Sequence, residues 1–268
     1  MTRTFVLSML VLFAAAVPAS ADLTLKQTMS GKGMGFSGKG TGTTYIKGHK
    51  MRSEMQMGDR VQTTIFDLDA QKMYMFDSKK KEAQVWDMAQ FSAQVAKSVD
   101  AGSMKVSLEP NGQTKAIAGH TATGYDLEIS MPAGMGGNKE MMMLVTMSGP
   151  AWIVKNAPGT KDYLGFYKAA AEKGWIFGDP RAAKASPGQA RATTEMYRLL
   201  AETGGIAFEN DLQIKMGPAE GGGANPLGGL MARMGNTSMQ MTVQSAEVTP
   251  LGDELFAPPP DYKLKPQK

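Results

Sequence analysis

Apolar and polar side chains alternate along the chain from residue 39 to residue 88. Alternation with a period of two is typical of a β-strand with one buried face and one solvent-facing face. Turn signals such as Gly48-His49 and Gly58-Asp59 interrupt the alternation, which predicts strands at residues 39–47, 50–57, 60–67, 71–76 and 81–87. Because parallel neighbours need a crossover of about a dozen residues or more, connections this short predict an antiparallel meander.

The rest of the chain combines the same strand pattern with stretches of helical periodicity. Further strands are predicted at residues 23–29, 104–109, 115–117, 121–130, 140–147, 151–155, 206–216 and 238–248. Phe91, Val95 and Val99 recur every fourth residue, which predicts a short amphipathic helix over residues 88–99. Residues 160–204 are expected to form a helical insertion, and the glycine-rich segment 217–229 is expected to be a flexible loop.

Two helices are expected within the insertion. Thr160 is placed to cap the first, and the second is expected to start at Pro187, with Ser186 as its cap. Gly204 follows the second helix, where a glycine favours termination. A one-sided meander must cover its apolar face, and these helices are available to cover it. The pattern therefore predicts a mainly β protein of α+β type, with residues 22–268 forming a single domain.

The first 21 residues have the features of a cleaved signal peptide. Arg3 provides a positive charge, residues 5–17 are apolar, and Ala19-Ser20-Ala21 is a small-residue cleavage site. The apolar run is shorter than the roughly 20 residues that a transmembrane helix needs. The sequence therefore predicts an exported, periplasmic protein that begins at Asp22 and has no transmembrane segment in its mature chain.

Composition narrows the range of functions further. The net charge is +4, and the one basic cluster, Lys79-Lys80-Lys81, lies at a predicted hairpin tip. Nucleic-acid binding would require a basic face with interleaved aromatic residues, so no nucleic-acid partner is expected. The chain has no cysteine, so its fold is expected to depend on its hydrophobic core rather than on disulfides.

Catalytic chemistry has few candidates. The segment from Gly33 to Gly40 resembles a phosphate-binding loop, but a strand follows it where a helix would be required. His49 and His120 lie beside glycines at predicted turns, and Asp67 with Asp69 lacks the remaining ligands of a calcium loop. The sequence predicts a protein that is not an enzyme, with no catalytic residues and no cofactor.

Methionine is unusually abundant, with 23 residues, and several occur as Met-x-Met pairs. This spacing places both thioethers on the same face of a strand. They could bind copper(I), provide an adaptable apolar binding surface, or fill core. The pairs lie on separate strands without supporting His or Cys, which favours the last two interpretations and assigns no metal site. The candidate ligand-binding residues are Met51, Met55, Met57, Met73, Met75, Met141, Met143, Met239 and Met241.

Several short motifs lie at the predicted turns and strand ends. They are Tyr45-Ile46-Lys47-Gly48, Lys50-Met51-Arg52, Ile117-Ala118-Gly119-His120, Ala151-Trp152-Ile153, Gly204-Gly205-Ile206 and Leu255-Phe256-Ala257-Pro258. Together they resemble a family of bacterial periplasmic proteins of unknown function. Such proteins are similar to the lipoprotein-carrier group of LolA-, LolB- and RseB-like proteins. The resemblance implies a curved antiparallel half-barrel with a few helices covering its concave face.

The resemblance also implies a concave, apolar interior for a hydrophobic ligand. The expected function is therefore non-enzymatic binding of a lipid, a lipoprotein acyl chain or an apolar peptide. Periplasmic copper(I) handling through the Met-x-Met pairs is one alternative. An envelope-stress sensor of RseB type is another, in which an envelope protein would be the partner.

Overall fold

The computed structural model of the chain describes residues 22–32, 38–98, 104–134, 142–183, 187–218 and 237–267. Within these residues, twelve strands form one sheet. The strands are β1 (Asp22–Lys32), β2 (Gly38–Lys47), β3 (Lys50–Met57), β4 (Arg60–Asp67), β5 (Lys72–Asp77), β6 (Glu82–Asp87), β7 (Lys105–Ile117), β8 (His120–Gly134), β9 (Met142–Val154), β10 (Ile206–Pro218), β11 (Thr237–Thr249) and β12 (Lys263–Pro266). The helices are α1 (Met88–Ser98), α2 (Thr160–Glu172), α3 (Pro180–Ala183) and α4 (Pro187–Glu202).

The strand order is β12-β6-β5-β4-β3-β2-β1-β11-β10-β9-β8-β7. Neighbouring strands are antiparallel except β12 and β6, which pair in parallel. The strands from β1 to β6 form a continuous meander, and β11 returns from the distant end of the chain to pair with β1. The sheet is curved but open, because β12 and β7 are edges that do not pair with each other. The prediction of a mainly β, antiparallel fold is confirmed.

The strand register places most of the core on one face of the sheet, called the inner face below. In β3, Met51, Ser53, Met55 and Met57 point to this face, as the period of two predicted. Two clusters of buried side chains cover the inner face, one centred on β1 to β6 and the other on β8 to β10. Helices α2 and α4 contribute to these clusters, so they pack against the inner face.

The segment between α2 and α4 is tied to the surrounding helices by hydrogen bonds to its backbone. Trp175 N–H donates to the carbonyl oxygen of Ala170 at 2.9 Å, which reverses the chain after α2. Ile176 N–H donates to Ser92 Oγ of α1 at 3.2 Å, and Phe177 N–H donates to Thr194 Oγ1 of α4 at 2.8 Å. These bonds hold Trp175 and Phe177 in the buried cluster above the meander.

The opposite, outer face of the meander is covered in part by the C-terminal segment, residues 250–267. Arg52 Nη1 donates to the carbonyl oxygen of Leu255 at 3.1 Å, and the ring of Tyr262 packs on Phe76 at 5.6 Å between centroids. A 3-10 helix, Asp253–Phe256, places Phe256 in a buried position. The segment ends as β12, which extends the sheet beyond β6. The sequence pattern did not predict this strand or the short helix α3.

At two places where the sequence predicts a gap between strands, the structure has one continuous strand. The gap predicted between strands 104–109 and 115–117 is a bulge within β7, where the register with β8 shifts between Pro110 and Thr114. Pro110 pairs with Tyr125 and Thr114 with Thr123, so pairing on both sides of the bulge keeps the strand in the sheet. Likewise, β9 runs without a break through Gly149 and Pro150, which pair with β8.

Helix ends also differ in part from expectation. Gly159, with φ of 71°, is the N-cap of α2, and Thr160 is its first residue. The Thr160 hydroxyl donates backwards to the carbonyl oxygen of Ala157 at 2.8 Å, so it does not cap the helix. Helix α4 begins at Pro187, and Gly204 follows its end with φ of 76°, as predicted.

Strand β10 extends to Pro218, two residues into the predicted loop, and residues 219–229 of that loop lie outside the described residues. So do the predicted signal peptide, residues 1–21, and Ser186.

Candidate functional site

A cavity of about 400 Å³ lies between the inner face of the sheet and helices α2 and α4. It is called the sheet–helix cavity below. Strands β1 to β5 and β10 to β11 form its floor, and most of the side chains that line it are apolar. Eight of the lining residues are methionines: Met29, Met51, Met55, Met73, Met75, Met196, Met239 and Met241.

The strand register arranges the floor in rows that run across the strands. The deepest row consists of directly opposed apolar residues: Leu23, Ile46, Met51, Phe66, Met73 and Trp86. Leu23 and Ile46 are fully buried, and Met73 is 1% exposed. This row belongs to the hydrophobic core and closes the cavity at one end.

The next row towards the outside contains hydroxyl side chains. Thr44 of β2, Ser53 of β3 and Thr64 of β4 are register partners, with Leu25 on one side of them and Met75 on the other. All of them line the cavity. Three hydroxyl groups therefore cross the middle of a largely apolar floor, where they can orient a bound molecule.

Glycines widen the floor in the two outermost rows. Gly42 lies between Gln27 and Met55, and Gly40 lies between Met29 and Met57. A Cβ atom added at Gly42 would come within 2.8 Å of Gln27 Nε2, so the Gln27 side chain lies over this position. Because β2 carries no side chain at either position, the inner face has a groove between β1 and β3 at this end.

Aromatic side chains of the helical layer form the opposite wall. Tyr163 and Tyr167 come from α2, Tyr197 from α4, and Phe177 from the connecting segment. The rings of Tyr163 and Tyr167 are 4.7 Å apart, and Phe177 lies 5.2 Å from Tyr197. The Tyr167 hydroxyl donates to the Sδ of Met51 at 3.9 Å, which links this wall to the deepest row of the floor.

Burial controls the ionisation of these tyrosines. Desolvation raises the pKa of Tyr163, Tyr167 and Tyr197, and the proximity of the phenol groups to one another raises the pKa of Tyr163 and Tyr167 further. The three phenols are therefore neutral at physiological pH. They supply hydroxyl groups but no charge to the cavity wall.

Asn210 adds a polar group to the cavity lining. It lies on β10 beside Met241 of β11, on the inner face, and it lines the cavity. Its buried Oδ1 has no hydrogen-bond partner in the structure. A buried polar atom without a partner carries a desolvation cost, which a donor group on a bound molecule would relieve.

Six of the nine methionines predicted as candidate ligand-binding residues line this cavity. They are Met51, Met55, Met73, Met75, Met239 and Met241. Met57 lies on the same face of β3 and is 37% exposed. Met143 is buried on β9, away from the cavity, and Met141 lies outside the described residues.

Other cavity residues were missed by the Met-x-Met pattern. Met29 and Met196 line the cavity as single methionines, and the tyrosines of the opposite wall come from the helical insertion. Met29 shares a face of β1 with Leu23, Leu25 and Gln27, so the strand pattern could have placed it on the apolar face. Tyr163 and Tyr197 belong to apolar stripes of predicted helices, but such a stripe does not indicate which residues contact a cavity.

The polar residues considered as catalytic or metal candidates have structural partners. His49 Nδ1 is 2.9 Å from Asp69 Oδ1, and this contact lowers the pKa of Asp69. Asp67 accepts hydrogen bonds from the backbone N–H groups of Asp69 and Ala70, which stabilise the turn after β4. His120 packs on the ring of Phe208 at 5.5 Å. These contacts account for the positions of both histidines and both aspartates.

Within the described residues, none of the helices has the length and apolar composition needed to cross a bilayer. Nor do these residues include three or more His, Cys, Asp or Glu side chains grouped as metal ligands.

A second depression, of about 550 Å³, lies on the outer face of the sheet. Its lining includes the polar residues Thr28, Thr41, Gln56, Gln240 and Thr242, together with Met29 and Gly40. Aromatic side chains are absent from this lining, so it offers less apolar contact than the sheet–helix cavity. The sheet–helix cavity is therefore the stronger candidate site.

Comparison of the sequence with protein-family models and with curated proteins finds no match.

Proposed function

We propose that this protein binds a hydrophobic ligand in the sheet–helix cavity without catalysing a reaction. The observation that carries the proposal is the cavity itself, which remains open between two well-buried side-chain clusters. Protein interiors contain few voids larger than a water molecule. A volume of about 400 Å³ falls within the range of known ligand pockets, which is about 300–1,000 Å³.

The methionines make this cavity suitable for flexible apolar molecules. Methionine is unbranched and polarisable, so it adapts to irregular shapes better than branched side chains do. Exposure rises from the deep end towards the outer end of the floor, from 1% for Met73 to 37% for Met55 and 41% for Met239. An apolar chain could therefore enter at the outer end and extend towards the core.

The polar groups in the cavity favour a ligand that is not purely a hydrocarbon. Thr44, Ser53 and Thr64 offer hydroxyl groups, and Asn210 Oδ1 lacks a partner. A few polar groups in an apolar pocket typically fix the orientation of the ligand. An acyl chain attached to a polar head, as in a lipid or a lipoprotein, or an apolar peptide fits this combination.

The resemblance to the lipoprotein-carrier group supports the same ligand class. On this proposal the curved, open sheet is a half-barrel whose concave face is covered by α2 and α4. The protein would work in the periplasm, after cleavage of the signal peptide behind Ala21. An RseB-type sensor would use the same cavity, and it would differ in having an envelope protein as its partner.

The proposal can be tested by filling the cavity. Ser53 is small and lies at the centre of the hydroxyl row, so Ser53→Phe would place a ring inside the cavity. We expect this variant to lose binding of a fluorescent palmitate analogue while it keeps the circular dichroism spectrum of the parent protein. Thr63→Phe is the matched control, because Thr63 lies on the outer face of the adjacent strand.

Unchanged probe binding by a folded Ser53→Phe variant would contradict the proposal, as would equal loss of binding in Thr63→Phe. The natural ligand can be sought by native mass spectrometry of protein purified from its own host without detergent. A co-purifying mass that fragments as a phospholipid or an acylated peptide would identify the ligand class.

A further inference from the structure

We propose that Met29, Met239 and Met241 form a binding site for one copper(I) ion at the outer end of the sheet–helix cavity. These three residues are called the rim methionines below. They come from β1 and β11, so the site depends on the strand pairing and not on a single Met-x-Met pair. The proposal is independent of the apolar ligand.

The first pair of rim methionines is set by the register of β1 and β11. Met29 and Met241 are direct register partners on the inner face, and both line the cavity. The Cβ atoms of directly opposed residues in an antiparallel pair lie about 4.5–5.5 Å apart. Two flexible thioether side chains that start at this separation can direct their sulfur atoms towards a common point.

Met57 extends towards this site without joining it. Gly40 lies between Met29 and Met57 in the register, and a Cβ atom added at Gly40 would lie 3.3 Å from Met57 Cγ, so the Met57 side chain extends over the glycine. Met57 lies on β3, three strands from Met241 on β11. Neighbouring strands lie about 4.8 Å apart, so these two residues are too far apart for their sulfur atoms to bind the same ion.

Met239 supplies a third thioether and a path to solvent. It lies two residues from Met241 on the same face of β11, and its register partner on β1 is Gly31. The absence of a side chain at Gly31 leaves room beside Met29. Met239 is 41% exposed, so an ion from solution can reach the rim.

The chemistry of this site selects a soft cation. Thioether sulfur is a neutral, soft ligand that favours copper(I) over hard or borderline divalent ions. The nearest charged register partner on the inner face is Arg60, which pairs with Met57. Arg60 is exposed, so solvent and salt screen its repulsion of a monovalent cation.

The test is an anaerobic competition between the full chain and a colorimetric copper(I) chelator. We expect the protein to withdraw one equivalent of copper(I) from the chelator. X-ray absorption of the copper-loaded protein should show a first shell of sulfur. The double variant Met29→Leu/Met241→Leu should no longer compete, because leucine keeps the size and apolarity of the site but removes the sulfur ligands.

Met75→Leu is the matched control, because Met75 lines the same cavity but lies on β5, far from the rim. It should compete as well as the parent protein. Failure of the parent protein to compete would overturn the proposal, and so would equal competition by the double variant. Ser53→Phe should lose binding of the palmitate analogue but still withdraw copper(I), because Ser53 is not one of the rim methionines, so the copper site and the apolar ligand can fail separately.

Discussion

The rings of Tyr167 and Tyr197 stack with their centroids 4.7 Å apart and their planes 15° from parallel. This contact joins α2 to α4 above the sheet–helix cavity, and Tyr163 packs against Tyr167. Tyr163 and Tyr167 are buried and Tyr197 is partly buried, and desolvation raises the pKa of each. The stability of this contact between α2 and α4 is therefore expected to depend on pH.

The first prediction concerns stability at alkaline pH. A tyrosine in the unfolded chain ionises near pH 10, whereas these buried tyrosines retain their protons to higher pH. The unfolded state then binds fewer protons than the folded state, so the free energy of unfolding should fall as pH rises above about 10. Urea unfolding at a series of pH values, followed by circular dichroism, would measure this decline.

Tyr167→Phe and Tyr197→Phe provide the comparison. Phenylalanine keeps the ring but has no ionisable proton, so each variant should lose less stability with rising pH than the parent protein. A free energy of unfolding that is unchanged across this alkaline range would contradict the assignment. Tyrosinate absorbance provides a second readout, because the buried phenols should ionise together with unfolding.

The second prediction concerns Gly40, over which Met57 extends. A Cβ atom at this position would lie 2.7 Å from the backbone oxygen of Gln56, which cannot move without disturbing β3. Overpacking of this kind typically costs about 1–3 kcal/mol. We expect Gly40→Ala to reduce the free energy of unfolding by about this amount in urea titration.

Gly217→Ala is the control for this effect. Gly217 also lies in a strand, β10, but an added Cβ would meet no atom within 4 Å. This variant should be neutral or slightly stabilising, because alanine reduces the conformational entropy of the unfolded chain. Equal destabilisation by both variants would show that flexibility of glycine, rather than the contact with β3, determines the effect.

The third prediction concerns the buried carboxylate of Asp22. Asp22 is 2% exposed, and its Oδ2 accepts a hydrogen bond from Leu251 N–H at 2.8 Å. This bond anchors the start of the C-terminal segment to the first strand. Asp22→Ala would leave the N–H group without this acceptor, and we expect a loss of about 1–3 kcal/mol in the free energy of unfolding.

Asp22→Asn should retain much of that stability, because its amide oxygen can still accept the bond. Asp253→Ala is a surface control, since Asp253 pairs with Lys47 at 2.8 Å but its side chain is 84% exposed. An exposed ion pair contributes little, so this control should differ little from the parent protein. Thermal unfolding that ranks Asp253→Ala below Asp22→Ala would contradict this account.

The meander was predictable because its physical signal is local. The alternation within β3 alone predicts that Met51, Met55 and Met57 point to the same face, and they do so in the structure. Short turns between the strands left antiparallel pairing as the available arrangement. Helix α4 was predictable for a similar reason, since Pro187 and Gly204 mark its ends through their own backbone preferences.

Local signals failed where pairing with a partner strand overrode them. Pro110-Asn111-Gly112 has the composition of a turn, but β8 pairs with β7 on both sides of it and retains it as a bulge. Strand β12 has no strong strand pattern of its own, and its pairing with β6 makes it part of the sheet. In both cases the partner strand supplies the hydrogen bonds that decide the conformation.

The pattern of residues was enough to predict strands with an apolar face and a concentration of methionines on that face. Which of these methionines are packed as core and which line a cavity depends on the way the strands and helices pack. Met29 and Met241 come from distant parts of the chain, and they become neighbours because β11 pairs with β1. Residue periodicity specifies the face to which a side chain points, but the strand register and the helices determine what it meets there.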